Sequence, residues 1–235
     1  MSSVKDKLLY SVFPRRCKLC GEVVALDEEL CEECLNTEQI SGEICLKCGR
    51  EKEKCTCKKE HFSAEYKGFC APYYFEGSMY SAVYRLKDSG YKELAPEMAK
   101  RIAECVKRNF GDTEFDVVTF VPMTEKRTRE RGYNQSELLA AELSKELCVP
   151  CEELLIKTRS TKAQRLSGSA ERKTNLYGAF EVKNVATVDN RTVLLVDDVK
   201  TTGATLNECA KTLKIYGASA VYACAFTVTN NKKKT

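Results

Sequence analysis

Two hydrophobic patterns alternate along most of the chain. Short, almost continuously apolar runs at residues 116–121, 192–196 and 220–228 predict strands that are buried inside a sheet. Apolar residues spaced three to four positions apart predict helices near Leu94 and after Asn134. Because strands and helices follow each other in turn, we expect an α/β fold with a parallel sheet flanked by helices.

The amino-terminal part of the chain lacks this alternation. Residues 58–91 look like a connector that contains strand-like aromatic segments at residues 71–75 and 79–86. We therefore divide the chain into a small domain at residues 1–62 and an α/β domain at residues 63–235. The length of 235 residues suits one medium domain with an appendage.

Composition and charge narrow the class of protein. No apolar run approaches the roughly 20 residues that a membrane helix needs, and the amino terminus lacks the residue order of a secretion signal. We therefore expect a cytoplasmic protein without membrane insertion. Residues 1–70 carry 12 basic and 13 acidic residues, so the net charge of +4 comes from the rest of the chain. Cations cluster at residues 157–173, which suits either an anionic ligand or a solvated face.

Eight of the fourteen cysteines lie within residues 17–57, in four close pairs. The pairs are Cys17 with Cys20, Cys31 with Cys34, Cys45 with Cys48, and Cys55 with Cys57. The first two pairs have the C-x2-C, ten-residue spacer, C-x2-C form of a zinc ribbon, which places four thiolates around one tetrahedral ion. The second two repeat this plan less regularly, and His61 is an alternative ligand there. We predict two structural zinc ions, because disulfides fit a secreted chain better.

The segment VLLVDDVKTTGAT at residues 193–205 is the most informative for chemistry. Asp197 and Asp198 end a predicted strand, and small hydroxyl residues with Gly203 then open a helix. Unpaired backbone N–H groups at a helix start favour a phosphate, and adjacent carboxylates can accept hydrogen bonds from a sugar diol or bind magnesium. The loop therefore suits a phosphate and a ribose together. A plain strand cap is the alternative, and the Lys-Ser/Thr ending of a nucleoside triphosphate loop is missing.

This segment resembles the phosphoribosyl pyrophosphate (PRPP) motif of type I phosphoribosyltransferases. The resemblance implies that Asp197 and Asp198 hold the ribose hydroxyls of PRPP, which binds together with magnesium. It also implies that the residues after them hold the 5′-phosphate. These phosphate-binding residues are Thr201, Thr202, Gly203, Ala204 and Thr205.

Other segments are similar to the ComF family of competence-associated proteins. The resemblance rests on residues 84–87, 120–124 and 127–135, on the paired cysteine knuckles, and on the basic loop at residues 158–176. It implies a type I phosphoribosyltransferase-like domain preceded by a small double zinc-ribbon domain, and a role in DNA uptake. The basic residues that it implies for the pyrophosphate are Lys87, Lys126, Arg127, Arg159 and Arg172.

Two functions follow as hypotheses. The first is a phosphoribosyltransferase that binds PRPP and magnesium and transfers the phosphoribosyl group to an unknown acceptor. Thr201 stands where hypoxanthine-type enzymes carry an acid that acts as general base, so the loop looks closer to the orotate type. The second is a non-catalytic adaptor for single-stranded DNA that works with proteins of the competence machinery.

Overall fold

The computed structural model describes residues 9–57, 63–158 and 178–230. Its strands are β1 (Gly68–Cys70), β2 (Tyr73–Tyr74), β3 (Val117–Phe120), β4 (Leu155–Lys157), β5 (Phe180–Val182), β6 (Thr192–Lys200) and β7 (Ala220–Val228). Its helices are α1 (Glu32–Asn36), α2 (Gly77–Asp88), α3 (Ala95–Phe110), α4 (Glu125–Arg131), α5 (Gln135–Leu147) and α6 (Ala204–Ile215). Helices connect β3 to β4 and β6 to β7, as the hydrophobic patterns predict.

A parallel sheet forms the centre of the molecule. Strand β6 lies between β3 and β7, and both β1 and β2 pair with the other edge of β7. The longest pairing runs from Thr192 opposite Ala220 to Lys200 opposite Val228. Strands β4 and β5 form a separate antiparallel pair. The expected α/β class with a parallel sheet is confirmed.

Residues 193–196 of the central strand β6 are all apolar because helices cover both faces of the sheet there. Leu194 and Val196 pack in one hydrophobic cluster with residues of α2, α3 and α5. Val193 and Leu195 pack in a second cluster with α6. All four side chains are fully buried, which explains why neither face of β6 shows the polar alternation of a half-exposed strand.

The structure corrects the strand expected at residues 79–86, which belong to helix α2. Met79, Ala82, Val83 and Leu86 are all buried, and their spacing of three to four residues is that of one helix face. The strand expectation rested on the aromatic residues of this segment. Aromatic residues favour strands only where they fit a pleated surface, and Tyr80 and Tyr84 here lie on the exposed side of a helix.

Strand β6 is also longer than expected. Residues 197–200 continue the ladder with β7, with Asp197 opposite Ala225 and Lys200 opposite Val228. The two acids therefore lie in the last part of a strand and not in the loop after it. They are held by a neighbouring strand, so their backbone positions are better defined than those of loop residues.

The cysteine-rich segment packs against the sheet domain and shares its core. Cys17, Leu19 and Cys34 are buried in the same cluster as Met79 and Leu86 of α2. Residues 58–62 lie outside the described part of the chain, so the boundary expected between residues 62 and 63 stays a prediction. Within the described residues, no helix combines the length and apolarity that crossing a bilayer requires.

Gly49, directly after a cysteine pair, tests this packing. Its backbone is left-handed, with φ +79°, and a methyl group there would lie 2.4 Å from the ring of buried Phe69. We expect Gly49→Ala to lower the free energy of unfolding by roughly 3 kcal/mol, since alanine pays for the left-handed backbone and for overpacking. Urea unfolding of the zinc-saturated protein measures the loss.

Gly42 provides a matched control for this substitution. It has a similar backbone, with φ +74°, but no atom lies within 4 Å of an added methyl group. We expect Gly42→Ala to lower the free energy of unfolding by only about 1–2 kcal/mol. Equal losses in the two variants would contradict the tight contact between the cysteine-rich segment and the sheet.

Candidate functional site

A cavity of about 440 Å³ lies at the carboxyl ends of strands β3 and β6. This edge is where open parallel sheets usually bind ligands, because the connecting loops diverge there. One wall is helix α2, a second is the segment from Val121 to Thr124 after β3, and the floor includes Asp197 and Asp198. Thr201 and Thr205 border the same cavity. The structure thus brings together the acids and part of the phosphate loop predicted from the sequence.

The two acids are held by few donors. Asp197 Oδ1 accepts hydrogen bonds from Ser136 Oγ of α5 and from the Asp198 backbone N–H, each at 2.9 Å. Asp198 is 5% exposed, and its Oδ1 accepts from the Val199 N–H. Its second oxygen, Oδ2, is buried and has no hydrogen-bond donor among the described residues. A buried oxygen without a donor is costly, so this atom is a point at which a ligand or an ion would be stabilised.

Burial and the neighbouring charge of Asp198 together raise the pKa of Asp197 to about 8. Burial is the larger cause, and repulsion between the two adjacent carboxylates adds to it. Lys87 Nζ, at 3.7 Å from Asp198 Oδ2, offsets part of this negative charge. A hydrogen-bond donor or a cation placed against the two carboxylates would offset the remaining negative charge.

The loop between β6 and α6 is shaped for close approach. Gly203 has φ +78°, a conformation that glycine adopts without steric strain, and α6 begins at the next residue. Thr201 and Thr202 are exposed, and Thr202 Oγ1 accepts a hydrogen bond from the Ala204 N–H. The loop thus offers hydroxyl groups and a helix start beside the cavity, as expected.

Of the five predicted basic residues, two line the cavity, one does not, and two lie outside the described residues. Lys87 and Arg127 line the cavity. Lys126 is not among the residues that line it; its side chain is 84% exposed and forms an ion pair with Glu130 at 3.9 Å. Arg159 and Arg172 lie outside the described residues, so their role stays a prediction.

Three kinds of cavity residue were not predicted individually as site residues, although Lys157 belongs to the cation cluster at residues 157–173. Lys157, at the end of β4, lines the cavity, and burial is the main reason that its pKa is lowered. Ser136, in the first turn of α5, donates to Asp197. Tyr80 and Tyr84 line the cavity from α2. Their spacing of four residues is the only signal that could have placed them on one helix face.

The eight cysteines form two groups of four. In each group all four Sγ atoms lie within 4.8 Å of one another. The distance between Cys20 Sγ and Cys31 Sγ is 3.6 Å, and that between Cys45 Sγ and Cys57 Sγ is 4.0 Å. Four sulfurs at 2.3 Å from a tetrahedral zinc ion would be about 3.8 Å apart. All fourteen cysteines are free thiols, so the groups fit zinc and not disulfides; His61 lies outside the described residues.

In each cysteine group, one backbone carbonyl accepts a hydrogen bond from a basic residue that lies two positions from a cavity residue. Arg85 of α2, two residues before Lys87, donates to the Cys20 carbonyl at 2.7 Å. Lys200, two residues after Asp198, donates to the Cys48 carbonyl at 3.3 Å and is only 3% exposed. A zinc ion with four thiolates carries a net charge of −2, so cations at these positions are favourable. We call these two hydrogen bonds the knuckle clasps.

Two domain models match parts of this chain. A double zinc ribbon domain model matches residues 8–71, and a phosphoribosyl transferase domain model matches residues 134–235. The DNA utilization protein YhgH of Escherichia coli K12 is 31% identical over 210 residues, which are 87% of this chain and 86% of that protein. Competence protein ComFC of Bacillus subtilis 168 is 26% identical, over 83% of this chain and 81% of that protein.

Among solved structures, the adenine phosphoribosyltransferase of Thermoanaerobacter pseudethanolicus is 21% identical. The match covers 61% of this chain and 68% of that chain, with a TM-score of 0.34.

The zinc content of the purified protein tests the two cysteine groups. We expect two zinc ions per chain, and we expect Cys31→Ser to release one of them because it removes a ligand from the first group only. Cys148→Ser is the matched control, since Cys148 is exposed and lies outside both groups. Atomic emission measures the zinc content. An equal loss of zinc in both variants, or a wild-type protein without zinc, would contradict the assignment.

Proposed function

This chain belongs to the ComF family of competence proteins, and on that premise we propose that its cavity binds PRPP with magnesium and transfers the phosphoribosyl group to an acceptor. The observation that carries the proposal is the acid pair. Two adjacent carboxylates, one with a buried oxygen that lacks a hydrogen-bond donor among the described residues, border the same cavity as a threonine-rich helix start. Diol, phosphate and divalent cation are the three partners that such groups suit.

Each part of PRPP has proposed partners in the chain. Asp197 and Asp198 would accept hydrogen bonds from the ribose hydroxyls, and the loop after β6 would donate to the 5′-phosphate. The loop residues proposed for the phosphate are Thr201, Thr202, Gly203, Ala204 and Thr205. Lys87 and Arg127, which line the cavity, would contact the pyrophosphate. For Lys126, Arg159 and Arg172, the same role is proposed from the family resemblance alone.

Magnesium fits the chemistry of this site. Asp198 Oδ2 is a buried carboxylate oxygen without a donor in the described part of the chain, and carboxylates with substrate phosphates are the usual magnesium ligands in proteins. Asp197 and Asp198 would hold the ion together with PRPP. When bound, it would supply positive charge against the oxygens of the pyrophosphate.

The proposed transfer breaks the bond between the anomeric carbon and the pyrophosphate oxygen, and the electron pair leaves with the pyrophosphate. The nucleophilic atom of the acceptor bonds to the anomeric carbon, and its proton passes to solvent. Negative charge therefore grows on the departing oxygen. Lys87 and Arg127 would stabilise this charge, since cations placed where charge develops lower the barrier to reaction.

Calorimetry with PRPP and magnesium tests the proposal. We expect heat of binding with the wild-type protein and at least a hundredfold weaker binding with Asp198→Asn, because the variant removes the charge that a divalent cation requires. Asp112→Asn is the matched control, since Asp112 is exposed after α3 and remote from the cavity. No heat with wild type, or equal binding by Asp198→Asn, would contradict the proposal.

The knuckle clasps give a second test. Lys200→Met keeps an unbranched side chain but removes the ammonium group. The variant therefore loses both the hydrogen bond to the Cys48 carbonyl and the contact of Nζ with the Phe69 ring, whose centroid lies 5.0 Å away. We expect faster zinc release from the second cysteine group and several-fold weaker PRPP binding, because the end of β6 loses its anchor. Lys214→Met, at an exposed ion pair with Glu65, is the control. Unchanged zinc release, followed with a chromophoric chelator, would contradict this role.

One observation favours a second candidate function, the handling of single-stranded DNA. A groove of about 450 Å³ adjoins the cavity. Three cations and two acids line it, namely Lys87, Arg127, Arg131, Asp88 and Glu130, and Arg131 forms an ion pair with Asp88 at 2.9 Å. Cations along a groove suit a phosphate backbone, and such binding weakens steeply as salt is added. Three further cations of the cluster at residues 157–173 would serve the same role, and all three lie outside the described residues: Arg159, Lys162 and Arg165. Both functions can belong to one protein.

A further inference from the structure

Helix α2 presents an unusual stripe to the cavity. Tyr80, Tyr84 and Lys87 follow one another at spacings of four and three residues, which places them on one side of the helix. The opposite side, with Ala82 and Leu86, is buried in the core. Both tyrosines are 52% exposed. They are therefore not core residues, and their ring surfaces are open to a ligand.

The rings are held in place by one another. The Tyr80 and Tyr84 rings are parallel to within 12°, with centroids 6.5 Å apart. Phe75, before the helix, packs against Tyr80 with centroids 5.0 Å apart and an angle of 52°. Aromatic pairs of this geometry are attractive. The surface is thus largely formed before any ligand binds, which lowers the entropy that binding must overcome.

The Lys87 end of the stripe lies next to the acid pair. Lys87 Nζ lies 3.7 Å from Asp198 Oδ2, and Tyr84 is one helical turn earlier. Tyr80, Tyr84 and Asp198 all line the one cavity. A sugar held by the carboxylates would therefore have the aromatic surface beside it. A flat ring attached to that sugar, or approaching it, would meet the faces of the tyrosines.

We propose that Tyr80 and Tyr84, supported by Phe75, form a stacking surface for a nucleobase, either free or exposed on a single strand. The proposal rests on the proposed function for the identity of the neighbouring sugar site. Base stacking on aromatic side chains tolerates different bases, because every base has a π-face. Lys87, Arg127 and Lys157 on the same cavity supply positive charge for a base that carries phosphates. The surface thereby assigns the class of acceptor.

The test compares probes with and without bases. A labelled short oligothymidylate and an abasic strand of equal length are titrated by fluorescence anisotropy into wild-type protein and into Tyr80→Ala and Tyr84→Ala. We expect each alanine variant to bind the oligothymidylate about tenfold more weakly and the abasic strand equally well, because stacking acts on bases alone. Tyr80→Phe and Tyr84→Phe should restore binding, since the ring face is kept.

Tyr216 provides the matched control, since it is a partly exposed tyrosine at the end of α6 and does not line the cavity. Tyr216→Ala should bind both strands like wild type. Free thymine and adenine are added as competitors: displacement of the label indicates a site for free bases, and its absence indicates a base within a strand. If neither bases nor oligothymidylate bind, or if the alanine variants lose both strands equally, the stacking surface is overturned.

Calorimetry with PRPP and magnesium on the same wild-type preparation separates the two proposals. Oligothymidylate binding that depends on the tyrosines, in a protein that takes no PRPP, would overturn the proposed function alone. PRPP binding without any effect of the tyrosine substitutions on base-containing probes would overturn the stacking surface alone.

Discussion

The structure depends first on two groups of four cysteine sulfur atoms, each arranged around a single point. The cysteine-rich segment is short and polar, so it cannot build a sufficient apolar core alone. A structural zinc ion contributes about 10–16 kcal/mol of apparent binding free energy, whereas one hydrogen bond contributes about 1 kcal/mol. The sulfur positions therefore decide where the Cys20 and Cys48 carbonyls lie. Through the knuckle clasps, these carbonyls hold Arg85 of α2 and Lys200 of β6. They thereby position one wall of the cavity and the strand that carries the acids of its floor.

A second constraint is the parallel sheet, which brings distant residues to one edge. Ser136 and Asp197 are 61 residues apart in the chain, yet they are joined by a hydrogen bond of 2.9 Å. This arrangement is electrostatically unfavourable, because a buried carboxyl group and a partly buried one lie side by side, and the pKa of Asp197 rises to about 8. Such strained polar pairs are expected where a protein binds a ligand, because the ligand supplies the missing donors or charge.

The cavity has two chemically distinct walls. One offers carboxylates, hydroxyl groups and lysines, which suit a charged phosphosugar. The other offers two parallel tyrosine rings, which suit a flat ring. Their meeting at Lys87 and Asp198 connects the proposed transfer with the proposed stacking surface. Under the two proposals together, the cavity would hold a base beside a phosphosugar.

Local patterns were sufficient for much of this protein. Cysteine spacing predicted both four-thiolate groups, because a knuckle is built by residues adjacent in the chain, and the apolar run at residues 220–228 predicted β7 (Ala220–Val228). The acid pair and the threonine loop were also visible, since their chemistry lies in one short segment.

Helix α2 was mistaken for a strand, because aromatic content was weighed above the spacing of its buried positions. Only the tertiary structure decided three features. These are the clasp between Lys200 and Cys48, which are 152 residues apart, the entry of Lys157 into the cavity, and the position of the tyrosines beside the acids. Contacts between residues that are distant in the chain depend on how whole helices and strands pack. A local sequence pattern does not contain that information.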